Sequence, residues 1–191
     1  MEKYIIFLIL CLFPCVLRAD TVVVVGKPLS GYTLQQDLPA TKDNNAARAL
    51  GSGSIDVYVG GSFTASANYT CTKIEFYVDS ITGDPSARTY TGYLYSNGTN
   101  APGSALETAT ATISGADIVA GYNAFTFAGE ALASGTTYWF VIKVDQAAAA
   151  YISIRYDSTD AKIVVRGDST PTWTASDVSS QICIKVYNGG V

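Results

Sequence analysis

Thirteen tyrosines, two tryptophans and no histidine set the range of chemistry open to this chain. Without histidine the usual general base and the usual zinc ligand are both missing. A glycosidase could still work with two carboxylates. The glutamates beyond the leader region are Glu75, Glu107 and Glu130. Glu75 falls on an outward strand face and Glu130 follows a turn-forming glycine, so both read as solvated carboxylates. Gly51-Ser52-Gly53 and Gly60-Gly61 precede no helix and read as linker or turn glycines, not as a phosphate loop. The expectation is a protein that is not an enzyme.

Binding chemistry is better supplied. Sugar recognition needs aromatic rings on one surface with polar groups beside them. Tyr93 and Tyr95 alternate on one strand face, opposite Leu94, while Tyr90 shares the face of Leu94 and reads as core. Tyr122, Tyr151 and Trp173 fall in or beside loops and complete the candidate ligand-binding set. The competing reading is cross-strand packing of rings. Asp79, Asp84, Asp157 and Asp160 flank loops and are candidates for a structural calcium ion. Their competing role is the Asx turn, in which an aspartate caps its own backbone. The sequons Asn68-Tyr69-Thr70 and Asn97-Gly98-Thr99 matter only in a host that glycosylates asparagine.

The elements that must position these residues are strands. Helical periodicity is nearly absent, and period-2 runs bounded by Gly, Pro, Asn, Asp and Ser predict strands near Thr21–Val25, Ile55–Val59, Thr70–Asp79, Thr89–Tyr95, Leu106–Ile113, Ala124–Phe127, Thr137–Asp145, Tyr151–Tyr156, Lys162–Arg166 and Gln181–Tyr187. Strands at this spacing without helices argue for an all-β fold, an antiparallel sandwich with one face of each sheet wet. Phe140, Ile142 and Val144 share the parity of Tyr138, which places Tyr138 inward and Trp139 outward or beneath a loop. Gly135 suits a turn of positive φ, and Pro102-Gly103 suits a corner.

Residues 1–19 have the form of a secretory signal: Met1-Glu2-Lys3, an apolar run broken by Pro14, then Arg18-Ala19 before Asp20. Its removal takes Glu2, Lys3 and Arg18 with it and moves the net charge from −4 to −5. With no basic tract, nucleic acid is not an expected partner. Nor is a membrane, once the signal is gone. Residues 20–54 read as a strand, TVVVV, and an irregular arm; residues 55–191 read as the sandwich domain. Cys11 and Cys15 leave with the signal, and Cys71 and Cys183 remain, an even pair in a secreted context. Strand parity groups Cys71 with Lys73 and Glu75, and Cys183 with Gln181 and Lys185. Both are thus expected on outward faces and, if their strands are neighbours, in one disulfide worth about 4–5 kcal/mol in the chain-entropy model.

Several stretches are familiar. FTASANYTCTKIEFYV (Phe63–Val78), GYLYSNGTNAPGSAL (Gly92–Leu106), FTFAGEALASGTTYWFVIKV (Phe125–Val144), and Trp173 followed by ICIKVYNG resemble the choice-of-anchor β-sandwich domains of secreted bacterial proteins. The resemblance runs from about Phe63 to the end. It implies a jelly-roll-like sandwich similar in shape to carbohydrate-binding modules, with no catalytic residues. The last residues, Tyr187 to Val191, lack that family's sorting tail, so anchoring by that route is not expected. The leading expectation is a secreted or cell-surface binding module for a glycan or surface polymer, with adhesion as its setting. The alternative is a subunit of an extracellular fibre or matrix, self-associating when Val22, Val23, Val24 and Val25 add to a neighbour's sheet edge.

Overall fold

Ile74, Phe76 and Val78 alternate with Lys73, Glu75 and Tyr77, and this period of two makes the longest strand among the described residues. The computed structural model describes residues 31–39, 45–52, 57–146, 149–157, 164–167, 173–177 and 181–189. The signal segment, Val22–Val25 and Asp160 lie outside the described residues. Among those described there are fourteen strands and no helix: β1 (Tyr32–Leu38), β2 (Asn45–Leu50), β3 (Tyr58–Thr64), β4 (Tyr69–Thr82), β5 (Thr89–Asn97), β6 (Pro102–Thr108), β7 (Ile113–Ser114), β8 (Gly121–Leu132), β9 (Thr137–Val144), β10 (Tyr151–Asp157), β11 (Val164–Gly167), β12 (Trp173–Asp177), β13 (Gln181–Ile182) and β14 (Ile184–Gly189).

They form two antiparallel sheets. The first runs β1-β14-β4-β10-β13, with β2 beside β10 and β8 beside β4; the second runs β12-β11-β3-β9-β5-β6, with β7 beside β5. The inner faces meet in one apolar core, where Phe76 stacks on Phe125 at 5.3 Å between ring centroids and Phe140 lies 6.3 Å from each. This is the antiparallel sandwich that the alternation predicts. Tyr90, Leu94 and Tyr138 point into this core as expected.

Three expectations are corrected. The arm before residue 55 is not irregular where it is described: β1 pairs with β14 and β2 with β10. These flanking strands bury little beyond Leu38 and Leu50, so their apolar pattern is too sparse to read. Gly60 and Gly61 are no linker but lie inside β3, where close approach demands glycine. A Cβ on Gly60 would sit 2.5 Å from the Phe140 carbonyl oxygen, and one on Gly61 would sit 2.6 Å from the Ile182 side chain of the other sheet. Pro102-Gly103 opens β6, and the corner is instead Gly98–Ala101, closed by the Gly98 N–H donating to the Ala101 carbonyl at 2.8 Å, with Asn100 at φ 56°.

The disulfide is the fourth correction. The Cys183 carbonyl accepts from the Tyr77 N–H at 3.1 Å, so Cys183 sits beside Tyr77 on β4. Cys71 lies six residues further back along β4, about 20 Å away at the rise of a strand. A disulfide needs Cα atoms within about 7 Å. The two also face opposite ways. The pairing of β4 with β8 is irregular between Cys71 and Lys73, which swaps the inward set from Tyr69 and Cys71 to Ile74, Phe76 and Val78. Cys71 therefore joins the core, while Cys183 keeps the outward parity expected for it and is nonetheless buried.

Candidate functional site

The outer face of the second sheet carries a layer the alternation alone does not reveal. β9 lies between β3 and β5, with Trp139, Val141 and Lys143 on its outer side. Register then fixes the neighbours. Tyr93 of β5 lies opposite Val141, and Tyr95 lies opposite Trp139. From β3, Tyr58 lies opposite Lys143, Gly60 opposite Val141, and Ser62 opposite Trp139. Trp139 and Val141 are 1% and 0% exposed although they face away from the core. The reason is that Tyr58, Tyr93, Tyr95 and Trp173 pack over them as a second, smaller apolar cluster. The expected wet face of β9 is thus dry at its centre.

The four upper rings are only half-buried and form a continuous strip. Tyr93 and Tyr95 are 6.2 Å apart, Tyr95 and Trp173 5.7 Å, and Trp173 and Tyr58 5.6 Å, centroid to centroid. Trp173 stands at 77° to both Tyr58 and Tyr95, the edge-to-face arrangement that aromatic quadrupoles favour. It reaches them from β12, across Gly167 of β11, which pairs with Trp173 on one side and with Tyr58 of β3 on the other. Burial holds the Tyr95 phenol above its ordinary pKa, with smaller contributions from Tyr58 and Tyr93. The Tyr95 phenol therefore keeps its proton at neutral pH, and a tyrosine hydroxyl can both donate and accept hydrogen bonds. Below the strip the Trp139 indole Nε1–H donates to Asn97 Oδ1 at 2.9 Å.

Of the five aromatic candidates, the structure brings together Tyr93, Tyr95 and Trp173. Tyr122 and Tyr151 belong to the first sheet, on the other side of the sandwich. Tyr122 is held edge-on to Tyr77 at 5.0 Å, with the Lys185 ammonium 4.0 Å from its centroid. Tyr58 is the strip residue that the sequence reading passed over. Its signal was present: Val57 and Val59 point inward, so Tyr58 between them must point out, as Tyr93 does.

The aspartates are not gathered. Asp79 accepts from the Arg155 Nε–H at 2.8 Å. Asp84 accepts from the Ser86 N–H at 2.9 Å, the Asx turn weighed above, and that bond holds its carboxyl below the usual range. Asp157 is buried at the end of β10, level with Gln181 of β13. Among the described residues no three potential metal ligands cluster. The glutamates are likewise apart: Glu75 accepts from Lys73 at 2.9 Å and Tyr187 at 2.7 Å, while Glu107 accepts from the N–H groups of Ala128 and Gly129.

No protein-family profile matches the chain, and no curated protein matches it. Among solved structures it is similar to the clostridial cysteine protease Cwp84 after propeptide cleavage, with a TM-score of 0.53 and 14% identity. The match covers 85% of this chain and 41% of that one, so the chain spans well under half of the protein it matches. At that identity the likeness speaks to the fold alone.

Proposed function

We propose that this chain is a secreted, non-catalytic binding module that holds a glycan or cell-surface polymer on the outer face of its second sheet. One observation carries the reading: four partly buried rings in mutual contact, Tyr58, Tyr93, Tyr95 and Trp173, pack over a dry floor of Trp139 and Val141. A pyranose presents an apolar face of C–H groups and an equatorial rim of hydroxyls. The rings offer flat apolar area to the former, and the phenols together with Asn97 offer hydrogen bonds to the latter. The floor fixes the rings in advance, so little side-chain freedom is lost when a ligand arrives.

The same features are consistent with the resemblance to choice-of-anchor domains and with a jelly-roll form of the sandwich. The absence of histidine and the separate engagement of Glu75 and Glu107 support a non-catalytic role. Cys71 is buried in the core, away from the strip. Secretion rests on the leader sequence, Met1 to Ala19.

The test is a polysaccharide pull-down and glycan array on the mature chain, beside a Tyr93→Ala/Tyr95→Ala variant. Retention by at least one polymer, lost in the variant while thermal unfolding stays cooperative, supports the reading. Failure of the wild-type protein to bind any polysaccharide overturns it.

A further inference from the structure

The polar groups along the strip are not an even mixture. Lys143 is the outward residue of β9 at the Tyr58 end, flanked by Tyr58 on one side and Thr91 on the other. Its ammonium lies 5.4 Å from the Tyr58 ring centroid. Among the described residues it makes no ion pair, in contrast to Lys73 and Arg155, each of which meets a carboxylate on the first sheet. The nearest acid along β9 is Asp145, and its Oδ1 already accepts from the Gln146 N–H at 2.8 Å.

Asn97 stands beyond Tyr95 along β5, far from Lys143 in the strand direction. An indole N–H can only donate, so the amide atom facing Trp139 Nε1 must be the oxygen. That bond uses Oδ1 and leaves Nδ2, a pure donor, on a residue that is itself exposed. Asn97 and Lys143 are six residues apart in register across β5 and β9, a span of about 20 Å. Along the strand direction the tyrosines thus lie between a cation level with Tyr58 and an amide donor beyond Tyr95. A face of this kind favours a ligand rich in acceptors and carrying negative charge.

Resting on the binding-module reading above, we propose that the ligand is an acidic polysaccharide whose sugars carry carboxylates, that Tyr58, Tyr93, Tyr95 and Trp173 stack its rings, and that Lys143 reads the carboxylate. The mature chain's net charge of −5, the full sequence's −4 less Glu2, Lys3 and Arg18, opposes an acidic polymer at long range, so the selection must be local. One ammonium beside an aromatic ring supplies that selection without a broad basic surface. Binding should accordingly depend only weakly on salt, unlike a polyelectrolyte contact made by many cations.

The experiment uses the mature chain against polygalacturonate, alginate and hyaluronate. Each is paired with its carboxyl-reduced, neutral counterpart, and dextran sulfate is added as a different anion. The expected result is retention of at least one carboxylated polymer, with about two- to fivefold weaker binding of its neutral counterpart, the scale of one exposed charge contact. Lys143→Gln lowers affinity for the acidic form to that of the neutral form, and Lys143→Arg preserves it. Equal binding of acidic and neutral forms, unchanged in Lys143→Gln, overturns the assignment and leaves the binding module standing. Binding of dextran sulfate without any carboxylated polymer overturns it as well. Binding of no polymer removes both readings.

Discussion

The two outer faces of this sandwich are built from the same residue type and end in opposite states. On the first sheet the tyrosines are covered by charge. The Lys73 ammonium lies 3.8 Å from the Tyr187 centroid and 4.7 Å from that of Tyr32, Arg155 lies 4.3 Å from Tyr77, and Lys185 lies 4.0 Å from Tyr122. The cations are answered in turn, Lys73 by Glu75 and Arg155 by Asp79. On the second sheet Tyr93 and Tyr95 meet one another and Trp173, only Tyr58 has a cation near it among the described residues, the Lys143 ammonium at 5.4 Å, and all four rings rest on apolar residues. A ring beneath a cation has its face occupied; a ring beside another ring has a face to offer. Counting tyrosines does not separate these cases, and the outward neighbours do. On the first sheet those neighbours alternate Lys, Glu, Tyr, Asp along β4, whereas on the second they are Trp139 and Val141.

The comparison breaks most sharply at the floor. Trp139→Ala removes a fully buried indole that faces outward, and should cost about 3–5 kcal/mol of stability as a core truncation would. Urea unfolding measures this, and a loss under about 1 kcal/mol would show that the ring layer is no true second core. The next effect is on binding. Tyr95 lies between Tyr93 and Trp173, the position where truncation opens the strip in two. Tyr95→Ala should weaken polymer binding about tenfold or more, the size of a central interface residue, whereas Tyr122→Ala on the other face should leave it unchanged. Equal losses from both would end the distinction between the faces.

Arg155→Ala ranks third. Arg155 and Asp79 are 27% and 31% exposed, so the pair is partly screened, and losing it with the contact over Tyr77 should cost about 1 kcal/mol. Thermal unfolding would register the change, while the polymer affinity of the second sheet should not move. A loss of binding in this variant would couple the two faces through the core.

Most of the scaffold was legible because strand parity is a strict rule. The inward set of Tyr90, Leu94, Tyr138 and Phe140, and the outward set of Tyr93, Tyr95 and Trp139, follow from a period of two. What parity cannot show is where it is reset. The irregular pairing between Cys71 and Lys73 inverts every assignment before it, which is why Cys71 reads as outward and lies in the core. Nor does parity say which strands are neighbours. Trp173 belongs to the site only because β12 lies two strands from β3, and Tyr122 is excluded from it only because β8 pairs with β4. The glycines misled for a related reason. Gly60 and Gly61 read as a linker, yet they sit mid-strand because the Phe140 backbone and Ile182 crowd them.

The smallest expected effect concerns the cysteines, which also divide between regions: Cys71 in the shared core, Cys183 on the outer side of the first sheet. Since no bond joins them, adding a reductant should leave the unfolding midpoint unchanged. A destabilisation of about 2–5 kcal/mol, the scale of a lost native disulfide, would contradict the register of β4 and β14. Burial pushes the Cys71 thiol from 9.0 up to about 12, with a smaller push from Glu107. Only the thiolate is nucleophilic, so at pH 8 alkylation of Cys71 should await unfolding. The sign of the linkage is fixed by which state holds the proton. Below about pH 9 both states hold it and this group adds no pH dependence. Between about 9 and 12 the unfolded chain has released the proton and the folded chain has not, so stability falls as pH rises. Cys71→Ala should flatten the onset of that fall near pH 9, leaving the later decline from Tyr90, which burial raises from 10.0 to about 12. An alkaline transition that starts at the same pH in both proteins would place Cys71 in contact with solvent instead of the core.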